Sequence, residues 1–392
     1  NNVNNLFRLL RQFFVNIITP SNRPFALKAR IFFRKAHKIP STNDLEVVCM
    51  NSDAVYGSRG VLKLKTPIQI KSTAAVGGKK EKEGPMGEYL DDFTEKADMN
   101  LGAWEKAESE MCRRALSYAL EKANFTDKNI DCLLGGDLVN QCTSTGYGLD
   151  GFDIPYLGLY GACSTMAEGL LIGSLLIESG QMNSAAVVVS SHFCSAERQF
   201  RFPLGYGSFS GPTAQTTVTG AAAFILTRAG ENAKGVFIDE LLPGIVCDRG
   251  IKDAGNMGAA MCTAAADTIV RYLTTSGKTP DDFDIIATGD LGWEGLRLLH
   301  EFTKDTVPPG SGKLNDCGVL VYDITKQDVG CGGSGCGCSA ICTAGGFYAK
   351  LSSGEYKNIA VIGTGAMMSP QSLKQGFSIP AVAHLVTLKS RT

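Results

Sequence analysis

Hydrophobic positions recur along this chain in two alternating patterns. Between Met111 and Lys122 they return every fourth residue, with Met111, Ala115 and Ala119 on one line and Leu116 and Leu120 beside it. That spacing predicts an amphipathic helix. A polar connector, FTDKN, leads into an apolar run, DCLLGGDL, over 131–138. The same order then repeats. A helical pattern covers Met261–Leu273, a connector GKTPDDF follows, and a second apolar run, DIIATGDL, fills 284–291, 153 positions after the first. Runs this short and this apolar predict strands buried on both faces.

A second pair of segments extends the repeat. CSTMAEGLLIGSLLIESGQMNSAAVVV (163–189) and CSAICTAGGFYAKLSSGEYKNIAVI (338–362) each open on small residues, continue as a helix and end in a β-rich run. Cys163 matches Cys338 and Asn183 matches Asn358, both at an offset of 175. The offset grows because 47 residues separate Asp290 from Cys338, against 25 between Asp137 and Cys163. Two matches in the same order predict a duplicated α/β fold with halves at 51–232 and 233–392. Helix–strand alternation around such strands calls for sheets covered by helices, so the halves are expected to pack as α/β/α/β/α layers. Equivalent strand ends then face one shared cleft.

Charge changes the picture at the N-terminus. Residues 1–43 hold eight basic residues and no acid, whereas the chain from 51 onward carries 30 basic and 37 acidic residues. Three prolines, Pro20, Pro24 and Pro40, interrupt any long helix there. Residues 1–50 are therefore expected to be a basic extension outside the fold; a membrane-surface or targeting segment is the alternative. With 44% hydrophobic and 20% charged residues, the composition excludes a disordered chain. A net charge of -1 argues against a nucleic-acid binder. No apolar run is long enough to suggest a membrane span. Thirteen scattered cysteines in apolar contexts read as reduced thiols.

The segment IPYLGLYGACSTMAEGLLIGSLL places Cys163 where a helix opens. A thiol there feels the positive end of the helix dipole, which favours the thiolate and predicts a lowered pKa. A small buried packing cysteine is the other reading. A duplicated α/β unit with this cysteine, and a Gly-rich stretch GCGGSGCGCSA (330–340) in the second half, resembles the thiolase superfamily, including the ketoacyl synthases. More narrowly, GDLVNQ, YGACSTMAEG, SSHFCSAERQFRFPLGYG, TVTGAAAFIL, MGAAMCTAAADTI, NDCGVLVYD, GGSGCGCSA, TGAMMSP and IPAVAH, in that order, resemble the stage V sporulation protein AD family. The resemblance runs from about Gly60 to about Leu388, leaving 1–50 without a counterpart.

That resemblance implies a thiolase-like fold whose work is ligand binding: uptake of dipicolinic acid, free or with calcium, into the forming spore. It implies a cytoplasmic subunit peripheral to the spore inner membrane, held by membrane-embedded subunits of the same transport system, with no cofactor and no metal. A homodimer is among the assemblies left open. The alternative is an acyl-transfer enzyme using Cys163. Synthases of the superfamily place a histidine at the strand end where this chain has Asp290, in GDLGWEG.

The candidate ligand site is therefore Cys163, His192, Arg198, Arg201, Asp290 and the loop Gly333, Ser334 and Gly335. His192 ends a β-rich run, where α/β proteins bind ligands. Arg198 and Arg201, flanked by Phe200 and Phe202, offer cationic forks and a ring wall for a flat dicarboxylate. Interdomain or dimer salt bridges are their alternative role. Cys331, Cys336, Cys338 and Cys342 follow no common metal spacing.

Overall fold

A computed structural model describes residues 60–200, 211–230 and 232–391. The basic extension 1–50 and Arg201 lie outside the described residues. Residues 59–392 form one unit.

The strands are β1 (Leu62–Gly78), β2 (Asp92–Thr94), β3 (Cys132–Gly136), β4 (Tyr156–Gly158), β5 (Ser184–Ser191), β6 (Thr216–Thr217) and β7 (Gly220–Arg228), followed by β8 (Gly235–Leu242), β9 (Ile285–Thr288), β10 (Leu314–Asp316), β11 (Gly333–Ser334), β12 (Asn358–Ala366) and β13 (Ala381–Arg391). The major helices are α1 (Trp104–Ala123), α2 (Thr165–Glu178), α3 (Phe193–Phe200), α4 (Met257–Ser276), α5 (Gly292–Thr303) and α6 (Cys336–Ile341). Helix α6 runs on through a π-helical turn, Cys342–Phe347, into Tyr348–Ser353.

Strand order exposes the duplication. The main sheet reads β10-β9-β12-β13-β8-β1-β7-β5-β3-β4, with β2 alongside β1. From the β8–β1 junction outward, the two sides have the same make-up. Two antiparallel pairings lead to an inner strand, β5 or β12, and two parallel pairings follow. The loop between β7 and β8 joins the two sets. The predicted runs 131–138 and 284–291 become β3 and β9, at the same place in each set.

Side-chain alternation along the inner strands builds the layers. On β5, Val187 and Val189 enter a central core while Ala186 and Val188 enter an outer one against α1. On β12, Ile359 and Val361 enter that central core while Ala360 and Ile362 face the cluster under α4. Helices α1 and α4 therefore cover the outside, and α2 and α6 fill the middle, giving α/β/α/β/α. Helix α2 lies close to both sets of strands because its interior positions are small. A Cβ on Gly169 would meet Val187 Cγ1 at 2.6 Å, and one on Gly363 of β12 would meet Ala167 at 2.7 Å. Among the described residues, no helix is long and apolar enough to cross a membrane.

Candidate ligand-binding cavity at Cys163

The loops after β3 and β12, the Gly-rich loop at β11 and the turn before α2 converge on one cavity of about 350 Å³. Cys163 sits on its wall in a 3-10 turn, Ala162–Ser164, immediately ahead of α2. The turn is tight: Ala162 holds a left-handed φ of 52°. Leu138, Phe200, Met257, Met367 and Met368 supply most of the apolar lining, and Asn140, Glu197, Ser334 and Ser369 the polar part.

Asp290 lies directly behind the thiol, wholly buried. Its carboxylate interacts electrostatically with the Cys163 thiol. Asp290 Oδ1 accepts from Thr364 Oγ1 at 2.7 Å, and Oδ2 from the Gly335 N–H at 2.9 Å. Gln215 Nε2 donates to both the Asp290 and Gly333 carbonyls at 2.8 Å, tying the β9 turn to the Gly-rich loop. Gly335 is needed there: its φ is 98°, and a Cβ would meet Ser191 Oγ at 2.7 Å. The Cys336 thiol, at the start of α6, donates to the Ala162 carbonyl at 3.0 Å and braces the Cys163 turn from the other half.

The expected low thiol pKa is not what this setting produces. Burial, and then the Asp290 carboxylate, push the Cys163 thiol well above its ordinary range. Removal of a buried thiolate from water, next to an acid, outweighs the field of one helix end. Burial likewise lifts the Asp290 carboxyl to about 7. Behind it, the buried Asp316 accepts from Thr288 Oγ1, Leu291 N and Gly292 N at 2.7–2.9 Å.

Of the predicted site residues, Cys163, Asp290, Ser334 and Gly335 come together, with Gly333 in the short β11 pairing that leads to them. His192 and Arg198 do not join them. His192 Nε2 donates to the Ala97 carbonyl at 2.7 Å, while Nδ1 accepts from the Cys194 N–H at 3.1 Å. Both ring nitrogens are thus occupied in a neutral, buried imidazole whose pKa burial lowers. Arg198 points to α1, where it pairs with Glu105 and lies 5.2 Å from the Trp104 ring centroid. Its helix does reach the cavity, through Ala196, Glu197 and Phe200. His384 accepts from the Gly244 N–H at 3.0 Å, away from the thiol. Among the described residues, no group of three or more His, Cys, Asp or Glu is placed to hold a metal ion. Sequence reasoning missed Thr364 and Gln215, which orient Asp290, and weighed Cys336 only as a member of the cysteine cluster. Thr364 lies near the end of β12, and no local pattern in the sequence marks its contact with Asp290.

These layers and the convergent strand ends define a thiolase-type fold. Solved structures share it at low identity. OleA from Xanthomonas campestris, in a Glu-to-Gln variant, superimposes with a TM-score of 0.53 at 14% identity, covering 84% of this chain and 99% of that one. The 3-oxoacyl-[acyl-carrier-protein] synthase III of Aquifex aeolicus VF5 gives 0.51 at 15% identity, covering 83% and 99%.

The chain belongs to the stage V sporulation protein AD family, whose model matches residues 58–389. It is 38% identical over 323 residues to stage V sporulation protein AD of Bacillus subtilis (strain 168), covering 82% of this chain and 94% of that protein. Membership supports a role in sporulation.

Proposed function

We propose that this chain binds dipicolinic acid, free or as its calcium chelate, in the Cys163 cavity. In this reading it serves dipicolinate transport during sporulation, at the spore inner membrane beside membrane-embedded subunits. The observation that carries the reading is Asp290. The synthases that the sequence resembles place an imidazole beside the nucleophile; here burial, with a carboxyl behind it, holds the thiol in its protonated form. A carboxylate in that position repels an oxyanion where catalysis needs a donor. An apolar-walled cavity with few polar groups suits a flat aromatic ring. Arg201 is the proposed partner of a ligand carboxylate, and Arg201→Ala is expected to weaken binding by a few kcal/mol.

Calorimetry with dipicolinate, with and without calcium, tests the reading. Saturable heat in either form is expected; none in either would sink it. Acyl transfer through Cys163 is the second reading. One observation favours it: Asp290, its carboxyl lifted to about 7 by burial, stands behind the thiol where a synthase has its base. A stable acyl-Cys163 adduct with thioester turnover would decide for the enzyme.

A further inference from the structure

The described surroundings of Asp290 contain no cation. It is wholly buried, and no described residue forms an ion pair with it. Its neighbours are the neutral donors Thr364 and Gly335, the thiols of Cys163 and Cys338, and a second buried acid, Asp316. Thiols Cys336 and Cys317 also feel its charge, and Glu197 stands on the cavity wall. An ionised carboxyl in such a place is costly, and a second negative charge brought close makes it costlier.

Gly335 lines the cavity beside Cys163 and donates its N–H to Asp290 Oδ2 at 2.9 Å, so Asp290 stands one residue behind the cavity wall. An anion seated against Cys163 and Gly335 approaches this carboxyl across that wall. We infer that Asp290 is the proton acceptor of the site, and that binding of a carboxylate ligand at Cys163 draws one proton from solvent onto Asp290. This rests on the ligand reading above. The accounting is simple. In the free protein above neutral pH, Asp290 is a carboxylate that accepts from Thr364 and Gly335, and Cys163 is a neutral thiol. On binding, the solvent proton adds to Asp290 and the thiol keeps its own. No bond to sulfur forms.

The geometry explains two features together. Thr364 and Gly335 fix the two Asp290 oxygens without neutralising them, so the carboxyl stays within reach of protonation. The thiol is neutral in both states, consistent with its raised pKa. Because the Asp290 carboxyl titrates near 7, uptake is absent below that pH, where the proton is already in place, and approaches one proton above it. Affinity for the anion then falls by up to about tenfold per pH unit above pH 7.5.

The test is calorimetry of the full chain with dipicolinate at pH 6.0, 7.5 and 8.5, each in two buffers of different ionisation enthalpy. The expected result is buffer-independent heat at pH 6.0 and buffer-dependent heat, corresponding to proton uptake, at pH 8.5. In Asp290→Asn the uptake disappears and the pH dependence of affinity flattens, with binding at pH 8.5 at least as tight as in the wild type. Binding without proton uptake at pH 8.5, or uptake that persists in Asp290→Asn, overturns the inference and leaves the ligand assignment standing. Absence of binding at pH 6.0 would instead refute the ligand assignment. The wild-type buffer series decides the matter even where the variant fails to fold.

Discussion

Asp137 and Asp290 end the same Gly-Asp-Leu turn in the two halves, yet their oxygens are used differently. Asp137 accepts from Val139 N, Thr145 N and Thr145 Oγ1, all at 2.8 Å and all within eight residues of it. It closes its own loop. Asp290 accepts from Gly335 and Thr364, 45 and 74 residues away, and lies behind the thiol of the opposite half. Cys163 and Cys338 diverge in the reverse sense. Cys163 stands in a turn on the cavity wall, whereas Cys338 lies inside α6, wholly buried in the central core. Duplication thus supplied each group twice. In each pair one copy serves the cavity and the other serves the fold. The long-range copy is the one that places chemistry at the seam.

Each half also hides a second acid. Glu108 of α1 lies beside Asp137, as Asp316 lies beside Asp290. Glu108 accepts from Ser190 and Ser195 at 2.9 and 2.7 Å, and burial, with Asp137 adding to it, lifts its carboxyl from 4.5 to about 7. An acid whose folded pKa is raised is protonated more readily in the folded chain. Its contribution is most favourable below pH 4.5 and declines as pH rises to about 7. Glu108→Gln removes that penalty. The expected outcome is little change at pH 5 and a gain of about 2–3 kcal/mol at pH 8, read from denaturant unfolding. Equal effects at both pH values would mean that Glu108 is ionised throughout. The comparison then sharpens: acid titration alters stability in both halves, and in the second half alters binding as well.

Swapping serine into the two matched cysteines probes the division directly. Cys338→Ser buries a hydroxyl in an apolar core and should cost about 1–3 kcal/mol of stability, with affinity for dipicolinate unchanged. Cys163→Ser should leave the unfolding midpoint nearly unaltered, because Cys163 stands in a turn on the cavity wall, where a hydroxyl can turn to the Asp290 carboxylate. A stronger hydroxyl–carboxylate bond competes with the ligand, so affinity should drop about tenfold, or about 1.4 kcal/mol. If both variants lose stability and keep affinity, Cys163 is a packing residue like its twin.

The sequence made these matched positions visible because the strands carrying them are buried on both faces and read as unbroken apolar runs. It also brought Cys163 and Asp290 into one cleft, since equivalent strand ends must face each other in a duplicated layered fold. What it did not show was the state of the thiol. A helix start is a local feature, but the depth of burial and the acid behind Cys163 come from residues more than a hundred positions away. His192 was misread for a similar reason. Its position at a strand end was right, but its ring is taken by the Ala97 carbonyl from a segment with no pattern to announce the contact. Thr364 is similar: a hydroxyl in TGAMM carries no sign that it will meet Asp290.

Arg198 is the sharpest case of local pattern misleading, and it carries the smallest expected effect. Arg198 and Arg201 stand three apart, which on a helix suggests one face. Helix α3 nevertheless turns Ala196, Glu197 and Phe200 into the cavity, and one residue corresponds to about 100° of rotation, so Arg198 is carried away from Glu197 toward α1. Its side chain is 47% exposed, paired with Glu105 and stacked by Trp104. An ion pair so exposed contributes about 0–1 kcal/mol, and a cation–π contact at the surface about as much. Arg198→Ala should therefore cost no more than about 1 kcal/mol of stability and weaken further little as salt is raised. Dipicolinate affinity should stay within about twofold of wild type, a difference below 0.5 kcal/mol. A tenfold loss in this variant, with stability intact, would show that α3 rotates on binding and delivers Arg198 to the ligand. That result would move the cationic contact from Arg201 to its neighbour and make α3, rather than the Asp290 turn, the part of the molecule that responds to occupancy.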